Sequence, residues 1–363
     1  MTPMHQPKAE LSSSPTDVTT CIEYALASPS AADSSFAVTL RLRQRPIRPA
    51  DLELGVLELL SPAAVSEGAG ALFVERLRVM QANPRHHIEV VEDIDAGRIC
   101  ACGTLVAEPK FIHEAGSVGH IEDVVVSAGL AGKGIGTRLV RSLTAHARRL
   151  GCYKCIVDCD EGDAPFYEEL GFRRKEVQCV CDSVGGSPDA GTPGAPRSLG
   201  DGLRVRALEE GDVARGFLQL LAQLTTVGEL SAAAFAGRLA LMRSAPADRP
   251  HVPLVILDDA ADKVVAAATL FVEPKLYATA AAAVGSGGGR LGHIEEVVVD
   301  GTERGRGLGR KIMACVRDAG TAAGCSRVSL DCSESNVPFY EKCGFERRGV
   351  CCALYLHDDA AAR

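Results

Sequence analysis

Hydrophobic and polar residues follow the periods of strands and helices along this chain. Strands are predicted where apolar residues alternate or run together, at residues 36–42, 87–93, 98–108, 119–126, 151–160 and 171–181. Helices are predicted at residues 47–60, 71–80, 135–150 and 164–170. The resulting order, β-α-α-β-β-β-α-β-α-β, predicts an α/β fold in which helices cover both faces of a mixed sheet.

The stretch at residues 119–136, GHIEDVVVSAGLAGKGIG, joins the central predicted strand to the central predicted helix. A glycine-rich turn at residues 132–136 separates them, and the helix follows with Leu139, Leu143 and Ala147 on one face. The first turn of a helix has unpaired N–H groups, and small residues leave those groups accessible. The pattern therefore predicts a site for a phosphate or pyrophosphate group.

This stretch occurs a second time, at residues 292–309, as GHIEEVVVDGTERGRGLG. His293 lies 173 residues after His120, and the same interval separates Tyr340 from Tyr167. A constant interval with repeated motifs indicates a tandem duplication. We therefore expect two domains, at residues 36–182 and 203–357. The remaining segments are expected to be a disordered arm (1–35), a flexible linker rich in glycine and proline (183–202) and a solvated tail (358–363).

Charge and composition narrow the possible partners. The net charge is −8 and there is no basic block, which argues against nucleic acid as the main partner. No uncharged apolar run is long enough to cross a bilayer, and the N-terminal residues lack the apolar centre of an export signal. We therefore expect a cytoplasmic protein with no membrane partner.

The chain contains 14 cysteines, and without an export signal we expect them to be reduced and mostly buried. Cys152, Cys155 and Cys159 could be read as a zinc cluster. No histidine lies at a finger-like spacing nearby, so buried thiols are favoured and no metal site is predicted.

Several longer motifs are more specific than the glycine turn. The first copy contains EPKFIH (108–113), GHIEDVVV (119–126), GCYK and DCDE (within 151–161) and FYEELGF (166–172). The second contains LTTVG (224–228), RGRGLG (304–309) and LDCSESNVPFYEKCGF (330–345). With the order of elements, these motifs resemble the GNAT superfamily of acetyl-CoA-dependent N-acetyltransferases. Within it, both copies resemble the eukaryotic glucosamine 6-phosphate N-acetyltransferases.

The resemblance implies a direct transfer of the acetyl group from the acetyl-CoA thioester to the 2-amine of glucosamine 6-phosphate. The product, N-acetylglucosamine 6-phosphate, is a step towards UDP-N-acetylglucosamine. The family works as a homodimer with the sugar site near the subunit boundary. We therefore expect the two copies to pack as an intramolecular pseudo-dimer, or the chain to form a homodimer. Acetyl-CoA is the expected co-substrate, with no metal.

The resemblance places the CoA pyrophosphate on the glycine turn and its pantetheine amides along the preceding strand. In the first copy the implied residues are Val124, Val125, Val126, Gly132, Lys133, Gly134, Ile135, Gly136 and Thr137. In the second they are Val297, Val298, Val299, Arg304, Gly305, Arg306, Gly307, Leu308, Gly309 and Arg310. Ala131 stands where the second copy has Arg304, so we expect weaker CoA binding in the first copy.

Acid–base residues are expected at three places in each copy. Glu122 and Glu295 can take a proton from the attacking amine or orient it, although solvated strand ends would look the same. Asp158 and Asp331 lie inside apolar strands, where an unpartnered carboxylate is costly, and this favours a catalytic role. By resemblance, Tyr167 and Tyr340 protonate the leaving thiolate; the alternative is an aromatic ring that packs on the sheet.

The implied substrate contacts differ between the copies. The candidates are Lys110, Phe111, Ile112, His113, Asp123, Tyr153 and Lys154 in the first copy, and Thr225, Lys275 and Glu296 in the second. Ala64 and Val65 stand opposite Thr225 and Thr226, whereas the second copy has Ala278 for His113 and Ser326-Arg327 for Tyr153-Lys154. The family's last-strand arginine is absent from both copies, which have Asp182 and Tyr355 there.

These losses are partly complementary, so we expect the copies to have specialised while at least one site remains active. Two alternatives stay open. The first is a GNAT acetyltransferase that acts on a different amine, which the missing arginine favours. The second is a non-catalytic acetyl-CoA-binding pseudo-dimer, which the retained tyrosines and strand aspartates oppose.

Overall fold

A 14-stranded sheet runs through the computed structural model, which describes residues 20–26, 38–62, 68–182, 192–244, 251–277 and 289–356. The first copy contributes β1 (Thr20–Leu26), β2 (Val38–Pro46), β3 (His86–Asp93), β4 (Arg98–Pro109), β5 (Ser117–Val126), β6 (Cys152–Cys159) and β7 (Arg173–Cys181). The second contributes β8 (Arg197–Gly200), β9 (Leu203–Ala207), β10 (His251–Asp258), β11 (Lys263–Pro274), β12 (Arg290–Val299), β13 (Arg327–Cys332) and β14 (Glu346–Tyr355).

The helices lie between these strands in the predicted order. They are α1 (Val56–Leu60), α2 (Ala69–Gln81), the single turn α3 (Ile112–Ala115), α4 (Ile135–Arg149), α5 (Ala164–Glu169), α6 (Phe217–Leu221), α7 (Ala232–Arg243), α8 (Leu308–Ala322) and α9 (Val337–Glu341). None of the helices within the described ranges is both long and apolar enough to cross a bilayer. The mixed α/β architecture predicted from the apolar pattern is confirmed.

The central helix of each copy packs its apolar face on the sheet. In α4, Leu139, Leu143 and Ala147 are fully buried, at the positions that the helical period predicts. In α8, Ile312 and Val316 are buried in the same way. Because the helix is held by this face, its N-terminus is held at the end of the strand that precedes it.

The two copies exchange their last strands. The strand order is β1-β2-β3-β4-β5-β6-β14-β7-β13-β12-β11-β10-β9-β8, so β14 of the second copy pairs with β6 of the first. In the same way, β7 of the first copy pairs with β13 of the second, and β7 and β14 pair with each other. Each half of the molecule is therefore completed by a strand from the other half.

The exchanged strands also cross between the hydrophobic cores. Val177, Cys179 and Cys181 of β7 are buried among residues of the second copy. Val350 and Cys352 of β14 are buried among residues of the first. The two copies thus form one intramolecular pseudo-dimer with shared cores.

Two predicted irregular segments contain strands. Thr20–Leu26, within the predicted arm, forms β1 and pairs with β2, and Arg197–Gly200, within the predicted linker, forms β8 and pairs with β9. The predictions of disorder over these parts are wrong, because edge strands need only backbone hydrogen bonds and short apolar patterns. The rest of the arm, Phe36, residues 183–191 and the tail lie outside the described residues.

Candidate active site

Two parallel strands separate at the centre of each copy. β12 pairs with β13 only over Leu291 to His293, and β5 pairs with β6 only over Ser117 to His120. Beyond these points the strands diverge, while β12 and β5 remain paired with β11 and β4 on their other sides. The separation leaves backbone groups of β12 open to a ligand that adds like a further strand.

A bulge lies at the start of this gap. The register between β11 and β12 shifts between Ala267 and Thr269, and Glu296 has a positive φ of 55°. Asp123 has a φ of 53° at the same point of the first copy. Residues other than glycine are strained in this region, and such strain is concentrated at functional sites. The bulge turns the carboxylates of Glu295 and Glu296 towards the gap.

The glycine turn opens the following helix as predicted. Gly305 and Gly307 have positive φ values of 85° and 74°, which require glycine, and a Cβ at either would meet open space. No side chain caps the N-terminus of α8, so its first N–H groups are available to a pyrophosphate. Arg306 instead pairs with Asp258 and Glu303, so its side chain turns away from that role.

A cavity of about 530 Å³ lies where the strands separate, and both copies line it. The second copy contributes residues of its splayed strands and α9, including Glu295, Glu296, Val297, Asp331 and Tyr340. The first copy contributes residues that the sequence assigned to sugar binding, namely Lys110, Ile112, His113, Tyr153 and Lys154. Predicted acid–base residues of the second copy and predicted sugar contacts of the first therefore meet in one composite cavity.

Lys110 is the buried cation of this cavity. Its Nζ lies 2.7 Å from Oε2 of Glu108 and 2.9 Å from Oε2 of Glu295. Burial alone would lower the pKa of Lys110, but the surrounding carboxylates outweigh it and raise the pKa. Lys110 therefore stays charged and pairs with Glu295 across the boundary between the copies.

Glu296 has a different environment from its neighbour. Its Oε2 accepts a hydrogen bond from Thr269 at 3.2 Å, whereas its Oε1 is buried with no hydrogen-bond partner among the described residues. Burial raises its pKa to about 7, against the opposing effect of Lys110. A carboxylate that titrates near neutral pH beside this cavity is suited to take up a proton from a bound ligand.

Asp331 and Tyr340 lie on the same side of the cavity. Burial raises the pKa of Asp331 well above its usual value, and the nearby Asp158 raises it further. Asp158, whose pKa burial also raises, accepts a hydrogen bond from Gln178 of the exchanged strand at 2.7 Å. Burial likewise raises the pKa of Tyr340, which keeps its phenol protonated as a donor.

The sugar side of the cavity is built at the junction of the copies. The His113 and Tyr153 rings lie 4.3 Å apart. The N–H of His113 donates to the Thr226 carbonyl at 3.1 Å, which brings the turn of the first copy against the Thr225 segment of the second. His113 and its neighbour Glu114 have positive φ values, so the turn is tightly held.

In the other half, Lys275, the counterpart of Lys110, and Tyr277 engage the carboxylates at the bulge, and we call this the closed half. Lys275 Nζ lies 3.2 Å from Glu122, 3.3 Å from Asp123 and 2.8 Å from Glu273. The phenol of Tyr277, at the position corresponding to Ile112, donates to Asp123 at 2.9 Å. Asp123 is therefore held by two partners, whereas Glu296 is free to act on a ligand.

Several predicted site residues lie elsewhere. Phe111 is fully buried against Phe217 and Phe235, so its side chain belongs to the core and does not line the cavity. Tyr167 packs beside Phe172 in the first copy's core. Ala64, Val65 and Ala278 lie outside the described residues.

Sequence reasoning missed residues that the exchanged strands bring to the cavity. Lys175 and Glu176 of β7 line it from the first copy. Tyr355 of β14, considered only as the replacement of an arginine, also lines it. The sequence contained a signal for Lys175, because Lys175 and Arg348 are cations at corresponding positions of the repeat. Only the strand exchange shows which site each of these residues reaches.

Comparison with known proteins agrees with this geometry. The model of the acetyltransferase (GNAT) family matches residues 56–172 and 223–345. The chain is 44% identical over 141 residues to glucosamine 6-phosphate N-acetyltransferase 1 of Oryza sativa subsp. japonica, covering 38% of this chain and 84% of the relative. It is 35% identical over 158 residues to glucosamine 6-phosphate N-acetyltransferase of Arabidopsis thaliana, covering 44% of this chain and 99% of the relative.

A solved structure shares the fold over most of the molecule. The crystal structure of a GCN5-related N-acetyltransferase from Sphaerobacter thermophilus covers 86% of this chain and 95% of its own, with a TM-score of 0.50 and 17% identity. The two regions matched by the family model together span more than half of the sequence. The chain therefore belongs to the acetyltransferase (GNAT) family, as a tandem pair of its domains.

Proposed function

We propose that the composite cavity transfers the acetyl group of acetyl-CoA to the 2-amine of D-glucosamine 6-phosphate, which yields N-acetyl-D-glucosamine 6-phosphate on the route to UDP-N-acetylglucosamine. One observation carries the proposal. The cavity joins Glu296, Val297 and Tyr340 of the second copy, which keeps Arg304 at its glycine turn, to the sugar residues that the first copy retains. The names of the rice and Arabidopsis relatives support this substrate, since this chain covers most of their length.

Acetyl-CoA binding is assigned to the second copy. The N–H groups of the turn at Gly305–Arg310 and the N-terminus of α8 are suited to the pyrophosphate, with Arg304 as an exposed cation beside them. The open backbone of β12 at Val297–Val299 is suited to the pantetheine amides. A backbone N–H there would also polarise the thioester carbonyl as negative charge develops on its oxygen.

The remaining side chains account for the protons. The amino sugar binds as an ammonium ion, and Glu296 takes one proton so that the amine can attack the thioester carbon. Lys110 holds Glu295 in place to accept a hydrogen bond from the amine. The C–N bond forms, the C–S bond breaks, and the Tyr340 phenol protonates the leaving thiolate. The second proton lost by the nitrogen passes to the Tyr340 phenolate and restores the phenol. These steps use acid–base groups alone, so the proposal includes no metal.

The domain organisation, the pseudo-dimer and the cellular compartment are proposed from the same observations. We assign the domains to the two GNAT copies and the pseudo-dimer to a single chain, with one composite site per chain. Leaving Cys181 aside, the twelve other cysteines whose state the structure describes are free thiols, and ten of them are buried, as suits a reducing cytoplasm.

The test is to incubate the purified full-length protein with acetyl-CoA and glucosamine 6-phosphate and to measure the acetylated sugar phosphate by mass. Mass detection avoids thiol reagents, with which 14 cysteines would react. Glucosamine and other amines are assayed in parallel. Faster acetylation of another amine would replace the proposed substrate, and acetyl-CoA binding without turnover on any amine would favour the non-catalytic alternative.

A further inference from the structure

The half of the molecule that contains Lys275 and Tyr277 also has a solvent-exposed ion cluster. Asp182, at the end of β7, accepts a hydrogen bond from Arg327 of β13 at 2.5 Å and one from Arg348 of β14 at 2.7 Å. Two cations from different strands therefore converge on one carboxylate. The strands are antiparallel and adjacent, so the backbone itself sets this convergence.

The same three positions in the composite cavity carry different side chains. By the repeat interval, Arg327 corresponds to Lys154, Arg348 to Lys175 and Asp182 to Tyr355. Lys154 and Tyr355 are direct partners across β6 and β14. The Lys175 ammonium lies 5.4 Å from the centre of the Tyr355 ring, within the range of a cation–π contact. All three residues line the cavity.

The two lysines have no carboxylate at the position that Asp182 holds in the other half; the carboxyl group that interacts with both is that of Glu176, whose pKa burial raises and the two lysines lower. Among the residues that the structure describes, neither Lys154 nor Lys175 forms an ion pair, although Glu176 lines the same cavity. Tyr355 supplies a neutral ring where the other half has a carboxylate. The cavity therefore offers an external anion two lysines that form no ion pair among the described residues.

We propose that Lys175, on the exchanged strand, binds the phosphate group of the acceptor in place of the arginine missing from the last strand, beside Lys154, which the resemblance already implies as a substrate contact. In the other half, the carboxylate of Asp182 occupies the position that corresponds to the bound phosphate. This inference rests on the proposed function. It explains how a phosphorylated acceptor is selected without that arginine, since a phosphate dianion forms charge-assisted hydrogen bonds with two ammonium groups.

The test compares the variant Lys175→Gln with its matched control, Arg348→Gln, in the full-length protein. Acetylation is measured with glucosamine 6-phosphate and with glucosamine. Lys175→Gln is expected to raise the KM for glucosamine 6-phosphate about tenfold, as expected for the loss of one charge-assisted contact. Its KM values for glucosamine and acetyl-CoA are expected to stay unchanged. Arg348→Gln is expected to leave all three unchanged, because Asp182 already neutralises Arg348.

A binding measurement separates this inference from the proposed function. Glucose 6-phosphate, which has no amine to acetylate, is titrated calorimetrically into the protein in the presence of CoA, with glucose as the control. If no glucosamine 6-phosphate is acetylated but glucose 6-phosphate binds about tenfold more weakly to Lys175→Gln, the proposed function fails and the phosphate site stands. Equal binding by wild type and variant, or no binding by the wild type, overturns the phosphate site.

Discussion

At the scale of single residues, the two halves differ in what surrounds equivalent carboxylates. Asp123 and Glu296 occupy the same bulge with nearly the same positive φ. Lys275 and Tyr277 hold Asp123, whereas Thr269 is the one hydrogen-bond partner of Glu296 among the described residues. The proton-accepting capacity of the site therefore depends on its neighbours more than on the carboxylate itself.

Glu296→Gln is expected to lower kcat/KM for the amino sugar by about 10²-fold or more, because the ammonium ion loses its proton acceptor. In the wild type the base works as a carboxylate, so kcat/KM is expected to rise as pH increases through about 7, the pKa of Glu296. That rise is expected to disappear in the variant. The measurement is a pH profile of kcat/KM by mass detection of product.

Asp123→Asn is the control for this experiment, since it changes the equivalent residue in the closed half. Its pH profile is expected to match that of the wild type. A rise through pH 7 that persists in Glu296→Gln would assign the proton acceptor to another group, with Glu295 the first to examine.

Residue types were more predictable than residue roles. The sequence indicated that both copies have strand-end carboxylates, strand aspartates and a tyrosine before Gly171 or Gly344. It could not indicate that Thr269 is the one hydrogen-bond partner of Glu296 among the described residues, because the contrast with Asp123 depends on Ile112 of the other copy standing where Tyr277 stands. It also placed Phe111 with the ligand, since an aromatic residue in a motif gives no sign of which way it faces.

At the scale of elements, the exchange of β7 and β14 determines which residues line the site. Hydrophobic periodicity predicted both strands, because an alternating pattern is a local property. Their partners could not be predicted in this way. The two strands end equivalent copies and have similar patterns, so pairing within a copy or across copies would give the same sequence signal.

Separated halves are expected to be defective when each is expressed alone. A chain of residues 1–190 would lack β14, which covers Val157 and Ile156 of β6, and it would expose Val177 and Cys179 of β7. Each half is therefore expected to aggregate or to self-associate, and acetylation is expected only when both halves are co-expressed. Size-exclusion chromatography and the mass assay measure these outcomes.

The control is the full-length protein cleaved between the copies after folding, which is expected to stay associated and active. If residues 191–363 alone were monomeric and fully active, the composite site would be refuted, because that half lacks Lys110 and Lys175.

At the scale of the whole molecule, one chain is expected to carry one working site. Tyr340 and Tyr167 have the same aromatic neighbours in their respective cores, with ring centroids 5.0 and 4.9 Å from Phe339 and Phe166. The two tyrosines therefore pack in the same way within their cores but lie at different sites. Tyr340 lines the composite cavity, whereas Tyr167 belongs to the half closed by Lys275 and Tyr277.

Tyr340→Phe is expected to reduce kcat about 10²-fold, since the thiolate loses its proton donor. Tyr167→Phe is expected to leave kcat within about twofold, because Tyr167 does not line the composite cavity. Both variants keep the aromatic ring, so thermal unfolding is expected to change little and to confirm that each is folded. Equal losses in the two variants would indicate two working sites.

The covalent joining of the copies has a further consequence. In a homodimer of identical chains, every substitution appears in both sites at once, so a change that closes one site closes the other. Here Asp182 can neutralise two arginines in one half while Tyr355 leaves two lysines exposed to ligand in the other. In the fused chain, the sequences of the two halves can differ. One half can accumulate changes that favour a stable partner, and the other can keep those that favour chemistry.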